Sequence, residues 1–182
     1  ITPVLANPLD AAIVRCDPQV IAGQVGETIT IDLYVENVVD LYGADVRPIF
    51  DTTIAQAEDA DSNPGNGVQL QPLGDLLSPA FVVKNEIDNV VGTIWYAVTQ
   101  LNPSPEVSGA GPIARLFLQG IAPGSFSMPF NYVKLVRRDG TEIASVSQTC
   151  AISFGEPSPT PPRKLYLPLV LRSYAPRPTP TP

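Results

Sequence analysis

The segment Thr28-Ile29-Thr30-Ile31-Asp32-Leu33-Tyr34-Val35-Glu36 decides the fold class of this chain. Its aliphatic residues Ile29, Ile31, Leu33 and Val35 occupy every second position. Successive side chains of a β-strand point to opposite faces, so a period of two is typical of a strand with one buried face. No segment shows apolar residues at i, i+3, i+4 and i+7 over three turns. The sequence therefore predicts an all-β protein.

The same alternation recurs along residues 12–154. Turn signals separate the alternating segments, and one of them, Asp139-Gly140, is a dipeptide favoured in tight hairpin turns. Short strands at this spacing, without helices between them, predict an antiparallel sandwich. The nine predicted strands are residues 12–16, 28–36, 42–50, 81–87, 93–99, 113–121, 130–136, 141–146 and 149–154.

Composition excludes several classes of enzyme and partner. The 182 residues include no histidine, which excludes Ser-His-Asp and Cys-His catalysis and removes the commonest zinc ligand. Glu86 and Asp88 are the one pair of acids considered for glycoside hydrolysis, but edge-strand acids are usually only solvated. We therefore expect no enzymatic activity. The net charge of −7 makes nucleic acid a poor partner.

Charge and proline content divide the chain into an acidic body and a basic tail. Residues 1–162 carry seven basic and 18 acidic side chains, a net charge of −11, whereas residues 163–182 carry four basic side chains and no acid. Nine of the 21 prolines follow residue 155. The predicted organisation is an extended N-terminal segment (1–11), the sandwich (12–154), a proline-rich linker (155–163), a docking strand (164–174) and a Pro/Thr tail (175–182).

The termini and the cysteines indicate an exported protein. The chain begins at Ile1 and has no stretch of about 20 apolar residues, so we expect a mature, secreted or cell-surface protein without a membrane span, from which a signal peptide has been removed. Cys16 and Cys150 lie on the first and last predicted strands, and we expect them to form one disulfide. The alternative is two unrelated buried thiols.

Five short stretches of the body resemble cohesin domains. The resemblance covers about residues 12–154, and it implies a nine-stranded jelly-roll sandwich of the carbohydrate-binding-domain type. It also implies an extracellular receptor for a dockerin-like module, or an architectural part of a surface protein. A polysaccharide is a further partner to consider. The stretches are residues 26–31, 37–43, 50–51, 92–97 and 111–116.

The tail contains an additional strand pattern. Leucines at every second position alternate with Tyr166, Pro168 and Val170, so both faces of this strand are apolar and it must dock somewhere. This strand has three possible fates: it folds back on its own body, it serves as an export signal, or it inserts into a neighbouring subunit. We expect insertion, which assembles subunits head to tail into a pilus-like filament. The predicted assembly residues are Leu165, Tyr166, Leu167, Leu169, Val170 and Leu171.

Two further observations concern the tail and the chain start. Residues 166–171 resemble a C-terminal element of exported proteins from filamentous Chloroflexi-type bacteria. Residues 1–9 are a second, less regular candidate for the exchanged segment. Serine and threonine residues next to prolines are candidates for O-glycosylation, namely Ser158, Thr160, Thr179 and Thr181.

Two local patterns are candidate ligand sites in the body. Asp59, Asp61 and Asn63 alternate like the first ligands of a calcium loop, although Pro64 and Leu70 break the EF-hand pattern. They form either a looser calcium cage or a solvated loop, and no other cofactor is expected. Separately, alternation places one of the neighbouring aromatic residues 95 and 96 inside and the other outside, where it is a candidate platform for sugar stacking.

Overall fold

The protein is a β-sandwich whose strands are between two and 14 residues long. A computed structural model describes residues 11–61, 63, 65–78 and 80–157. These residues form 14 strands and no helix, so the described part of the chain also has no helix able to cross a membrane. The strands are β1 (Ala12–Asp17), β2 (Val20–Gln24), β3 (Thr28–Leu41), β4 (Gly43–Pro48), β5 (Ala55–Glu58), β6 (Gln71–Pro72), β7 (Ala80–Asp88), β8 (Thr93–Gln100), β9 (Val107–Gly120), β10 (Gly124–Met128), β11 (Phe130–Val136), β12 (Glu142–Ile143), β13 (Ser145–Ser147) and β14 (Cys150–Gly155).

The strands form three sheets. The first sheet has the order β13-β1-β3-β9-β5, with β6 also paired to β9. The second sheet has the order β12-β11-β4-β8-β7, and the third has the order β10-β14-β2. Most strand pairs are antiparallel, as predicted, but β1 pairs with β13 and β2 pairs with β14 in parallel.

One hydrophobic core joins the inner faces of the sheets. The aliphatic residues of the deciding segment, 29, 31, 33 and 35, are all buried, as their alternation predicts. Ile94, Tyr96 and Val98 of β8 enter the same core from the second sheet. Ile152 and Phe154 of β14 enter it from the third sheet. The all-β sandwich prediction is therefore confirmed.

The predicted disulfide is present and links two sheets. Cys16 of β1 and Cys150 of β14 are bonded, with 5.8 Å between their Cα atoms and a sequence separation of 134. β1 lies in the first sheet and β14 in the third. The chain passes from β1 into β2, which pairs directly with β14, and this brings the two cysteines together. The alternative of two unrelated thiols is wrong.

The prediction of nine strands was too low for the described residues. Each predicted segment overlaps a strand, but β2, β5, β6 and β10 were not expected. β3 also runs beyond residue 36 to Leu41, because Asn37 and Asp40 adopt positive φ values of 55° and 60° and the pairing with β9 continues past them with shifted register. Residues 158–182, which contain the predicted docking strand, lie outside the described residues.

Candidate functional site

The outer face of the second sheet presents aromatic and charged side chains together. On β4, Ala44 and Val46 point into the core, which leaves Asp45 and Arg47 on the outside. On β8 the buried residues are at even positions, so Trp95 is on the outside. Tyr132 of β11 pairs in register with Arg47 and shares its face. Alternation on three neighbouring strands thus brings these side chains side by side.

Arg47 lies at the centre of this arrangement, between two aromatic rings. Its guanidinium carbon is 4.0 Å from the centroid of the Trp95 ring and 4.5 Å from that of the Tyr132 ring. The ammonium of Lys84 on β7 is 5.3 Å from the Trp95 centroid. These are favourable cation–π distances, which hold the rings in place at the surface. We call Arg47, Trp95, Tyr132 and Lys84 the aromatic cluster.

Two carboxylates neutralise the cations of the aromatic cluster. Arg47 donates from Nε to Oδ1 of Asp45 at 3.0 Å and from Nη2 to Oδ2 at 2.8 Å. These hydrogen bonds raise the pKa of the Arg47 guanidinium above its ordinary value. Lys84 forms an ion pair with Glu86 two residues along its own strand. Planar Arg–carboxylate pairing fixes the guanidinium orientation, so the cluster presents a defined shape to a partner.

A shallow apolar depression adjoins the aromatic cluster. It has a volume of about 220 Å³. Gly43 and Ala97 form part of its floor, and Val83 and Val136 line it from the flanking strands β7 and β11. At Gly43 a Cβ atom would come within 3.2 Å of the Thr99 hydroxyl and of a Val136 methyl group. The absence of that side chain keeps the depression open.

Large apolar side chains on this face remain in contact with solvent. Trp95 and Tyr132 are each 40% exposed, and Phe81 and Val83 on β7 are 51% and 60% exposed. Aromatic residues and arginine are enriched where proteins bind one another. An exposed patch of this composition therefore has the character of a protein-binding surface.

The outer face of the first sheet differs in character. Arg15 of β1 contacts Glu36 of β3, with 2.6 Å between Nη2 and Oε1. Arg115 of β9 binds both carboxylate oxygens of Asp32 on β3, at 2.7 and 2.9 Å. These ion pairs connect neighbouring strands of the same sheet. Both faces pair their charges internally, but the second sheet also presents the exposed side chains of Phe81, Trp95 and Tyr132, which makes it the better candidate for binding.

The structure decides the orientation of the two neighbouring aromatic residues. Tyr96 is fully buried, and burial raises the pKa of its phenol above the ordinary value. Trp95 points outward, where Arg47 stacks on its ring. A sugar ring that stacked on the same side of Trp95 would have to displace the guanidinium.

The predicted pair of acids shares an open cleft. Glu86 and Asp88 point outward on β7, while Ile87 between them is buried, as alternation predicted. Together with Thr93 and Trp95 they line a cleft of about 200 Å³. This cleft continues the outer face of the second sheet and gives that end of the face an acidic border.

The predicted calcium ligands lie in one loop, where they accept hydrogen bonds from the loop itself. Asp59 Oδ1 accepts from the Gln69 amide at 3.1 Å, and Asp61 Oδ1 accepts from the Asn63 amide at 2.7 Å. Hydrogen bonds from the Asn66 side chain and the Asn63 amide lower the pKa of Asp61. In the described ranges, no three or more acidic or cysteine side chains are grouped to hold a metal. The calcium site stays a prediction.

Some predicted site residues have no structural test. The glycosylation candidates and the assembly strand belong to residues 158–182, outside the described residues, so both stay predictions. Conversely, sequence reasoning missed Arg47 and Tyr132. Arg47 follows a buried valine in an alternating segment, which is a weak signal, and nothing in the sequence indicates that residues 47, 95 and 132 are neighbours.

Comparison with solved structures identifies the fold. A type II cohesin domain from the cellulosome of Acetivibrio cellulolyticus matches with a TM-score of 0.63 and 15% identity, over 78% of this chain and 94% of that one. A chain of a type I cohesin–dockerin complex from Clostridium thermocellum matches with a TM-score of 0.62 and 10% identity, over 79% and 99%. A non-cellulosomal cohesin from the archaeon Archaeoglobus fulgidus matches with a TM-score of 0.59 and 14% identity, over 79% and 89%.

These matches show that the body has a cohesin-like fold. No family model and no curated protein sequence matches the chain. The predicted resemblance is therefore confirmed at the level of the fold, which by itself does not identify a partner.

Proposed function

We propose that this chain is a non-catalytic, extracellular binding module that recognises a dockerin-like protein through the outer face of the second sheet. The observation that carries the proposal is the aromatic cluster, in which Arg47 is stacked between two exposed rings beside an apolar depression. Stacked arginine and aromatic side chains are the residues on which protein interfaces depend most strongly. Similar folds occur in type I and type II cohesin–dockerin complexes, which supports this class of partner.

The disulfide supports the extracellular part of the proposal. Structural disulfides persist in oxidising compartments and are rare in the cytosol of ordinary cells. The bond between Cys16 and Cys150 joins two buried cysteines and closes most of the body.

A polysaccharide is a weaker candidate for the same face. Sugar stacking requires an open aromatic ring, and Arg47 stacks on both Trp95 and Tyr132. A protein partner can instead contact the edges of these rings and fill the apolar depression, leaving the guanidinium in place.

Binding measurements on matched variants test the proposal. The full-length chain is titrated calorimetrically with a panel of type I and type II dockerin modules, and retention on microcrystalline cellulose is measured in parallel. We expect saturable binding of at least one dockerin. Trp95→Ala should weaken it at least about 30-fold, because truncating a hot-spot tryptophan near the centre of an interface costs about 2 kcal/mol or more.

Tyr34→Ala provides the matched control. Tyr34 lies on the outer face of the first sheet under Arg15, whose guanidinium carbon is 4.6 Å from the ring centroid, so the same kind of contact is lost on the opposite side. Dockerin affinity should not change. Equal affinities for wild type and Trp95→Ala would contradict the proposed face, and binding to cellulose alone would favour the polysaccharide.

Self-assembly by strand addition is a second candidate function, independent of dockerin binding. It is favoured by the outer strands of the third sheet, β2 and β10, neither of which contains a charged residue.

A further inference from the structure

The third sheet has two edge strands without the usual protection against strand pairing. Among the described residues, β2 and β10 are its outer strands, with sequences VIAGQ and GSFSM. Neither contains a charged residue or a proline, the devices that usually prevent an edge strand from pairing with another chain. Each has five residues. On β2 the Gln24 amide donates to Glu27 Oε2 and the Gln24 carbonyl accepts from the Glu27 amide, so the part of this edge that can pair lies at residues 20–22.

The edges of the other two sheets are protected. In the second sheet, edge strand β7 carries Lys84, Glu86 and Asp88 and has a register shift, and β12 has only two residues. In the first sheet, β13 has three residues, β5 ends at a glutamate and β6 contains a proline. The third sheet is therefore the exception within the described part of the molecule.

An open trough crosses this unprotected sheet from β2 over β14 to β10. Its volume is about 440 Å³, and Val20 on β2 is 76% exposed, an unusual position for a valine on an uncharged edge. The outward side chains beside Val20 are small, so the trough can admit larger side chains from elsewhere. The lining residues are Val20, Ile21, Ser125, Phe126, Ser127, Ala151, Ile152 and Ser153.

The chain leaves the body from this same sheet. β14 is the central strand of the third sheet and ends at Gly155, and the leucine-rich segment 165–171 follows after a short linker. The tail from residue 163 carries a charge of +4 against −11 for the preceding residues, so the two attract each other. The segment has apolar side chains that require burial, and the uncharged edge strand can accept another strand beside it.

The linker favours an acceptor on another subunit. Residues 156–163 include four prolines, a composition that favours the extended polyproline conformation with a rise of about 3.1 Å per residue. Over eight residues this conformation spans roughly 25 Å. A stiff spacer of that length lets the segment after it reach a neighbouring molecule more readily than the sheet beside its own exit point.

We propose that residues 165–171 of one copy add as a strand to the β2 edge of a second copy, with leucine side chains seated in the trough beside Val20. Main-chain hydrogen bonds along the edge provide affinity, and the alternate side chains provide specificity. Each subunit then has one donor segment and one acceptor edge. Such a head-to-tail contact gives an open filament unless the rotation between subunits closes a ring.

Complementation between two defective variants of the full-length chain tests the proposal. Leu167→Asp/Leu169→Asp removes the donor, and Val20→Lys places a charge on the acceptor edge. By sedimentation velocity, wild type should form species larger than a monomer that increase with concentration, whereas each variant alone should remain monomeric. An equimolar mixture should form a 1:1 dimer. The dimer should not grow further, because each pair of variants has only one functional donor and one functional acceptor, and both are used in forming the dimer.

Val39→Lys is the matched control, since Val39 is also an exposed valine but lies on β3, away from the trough. It should assemble like wild type. Circular dichroism checks the fold of each variant, and Ala22→Lys, on the same edge strand, replaces Val20→Lys if the latter changes the spectrum. Assembly by the donor variant, no dimer in the mixture, or a wild type that stays monomeric because its own tail covers the trough would each overturn the proposal.

Discussion

Two asparagine side chains join the open edges of the two main sheets. Asn85 on β7 accepts a hydrogen bond from the Leu70 amide and donates one to the Leu70 carbonyl, both at 2.8 Å. Asn89 makes the same two-way contact with Ala57 of β5, at 2.8 and 2.9 Å. In each case a side-chain amide replaces a missing strand neighbour. The second sheet is thereby connected to the chain that flanks the first.

Asn85→Asp should destabilise the protein in a pH-dependent way. The introduced carboxylate can still accept from the Leu70 amide, but it cannot donate and its charge faces the Leu70 carbonyl. We expect a loss of about 2–3 kcal/mol in the free energy of unfolding at pH 7, measured by urea denaturation.

The same variant should recover stability in acid. The folded state raises the pKa of the introduced carboxyl above the ordinary value of about 3.9, because only the protonated form can donate to the carbonyl. The deficit relative to wild type is therefore complete at neutral pH and shrinks as the pH falls through that pKa. Asn131→Asp, at an exposed position of β11, is the control and should show neither effect. A deficit that is unchanged at pH 4 would contradict the role of the donated hydrogen bond.

Single residues show how far sequence reasoning reaches. Alternation established that residues 95 and 96 point to opposite faces, and the structure adds which face is inner. Which face of β8 is buried depends on its neighbouring strands. Its buried residues Ile94 and Tyr96 pair in register with the buried residues Ile87 and Val46 of those strands. The contacts of Arg47 with two rings depend on strand order, which is not encoded by local periodicity.

At the scale of strands, the predictions were best where aliphatic residues alternate over six or more positions. β3 and β8 are such strands, and their predicted bounds begin where the structure begins them. β5, β6 and β10 consist largely of alanine, glutamine, serine, glycine and proline, which have low strand propensity. These strands form because a longer neighbour offers them a hydrogen-bonding edge, which is tertiary information.

The aromatic ring of Phe154 packs against glycine backbone and so holds the third sheet against the first. Phe154 of β14 packs where Gly120 of β9 has no side chain, and a Cβ atom at Gly120 would lie 2.3 Å from the Phe154 ring. Gly120→Ala should therefore lower the free energy of unfolding by about 1–3 kcal/mol through overpacking. Thermal and urea unfolding measure this change.

Gly155→Ala is the control for that prediction. The nearest atom to a Cβ at Gly155 is the Gly23 carbonyl oxygen at 3.9 Å, an ordinary contact. Its effect should stay within about 0.5 kcal/mol. If the two substitutions had equal effects, close approach of Phe154 would not be the reason that residue 120 is glycine.

At the scale of the whole molecule, the disulfide provides a constraint that spans the body. Replacing both cysteines, as Cys16→Ala/Cys150→Ala, should lower the free energy of unfolding by about 4–5 kcal/mol, because a loop of this length restricts the unfolded chain strongly. Reducing the wild type with dithiothreitol under denaturing conditions should give a similar loss without any amino-acid substitution. A loss below 1 kcal/mol in both experiments would contradict this account.

The same bond determines how the body responds to mechanical load. A pull on the two ends of the chain reaches Cys16 from one side and Cys150 from the other, and the covalent link transmits it directly between them. The covalent path of the pull therefore bypasses every strand from β2 to β13, all of which belong to the closed loop. While the bond is intact, stretching can lengthen only the segments outside the loop. The end-to-end length of the body under load is therefore set by the distance between the two bonded cysteines.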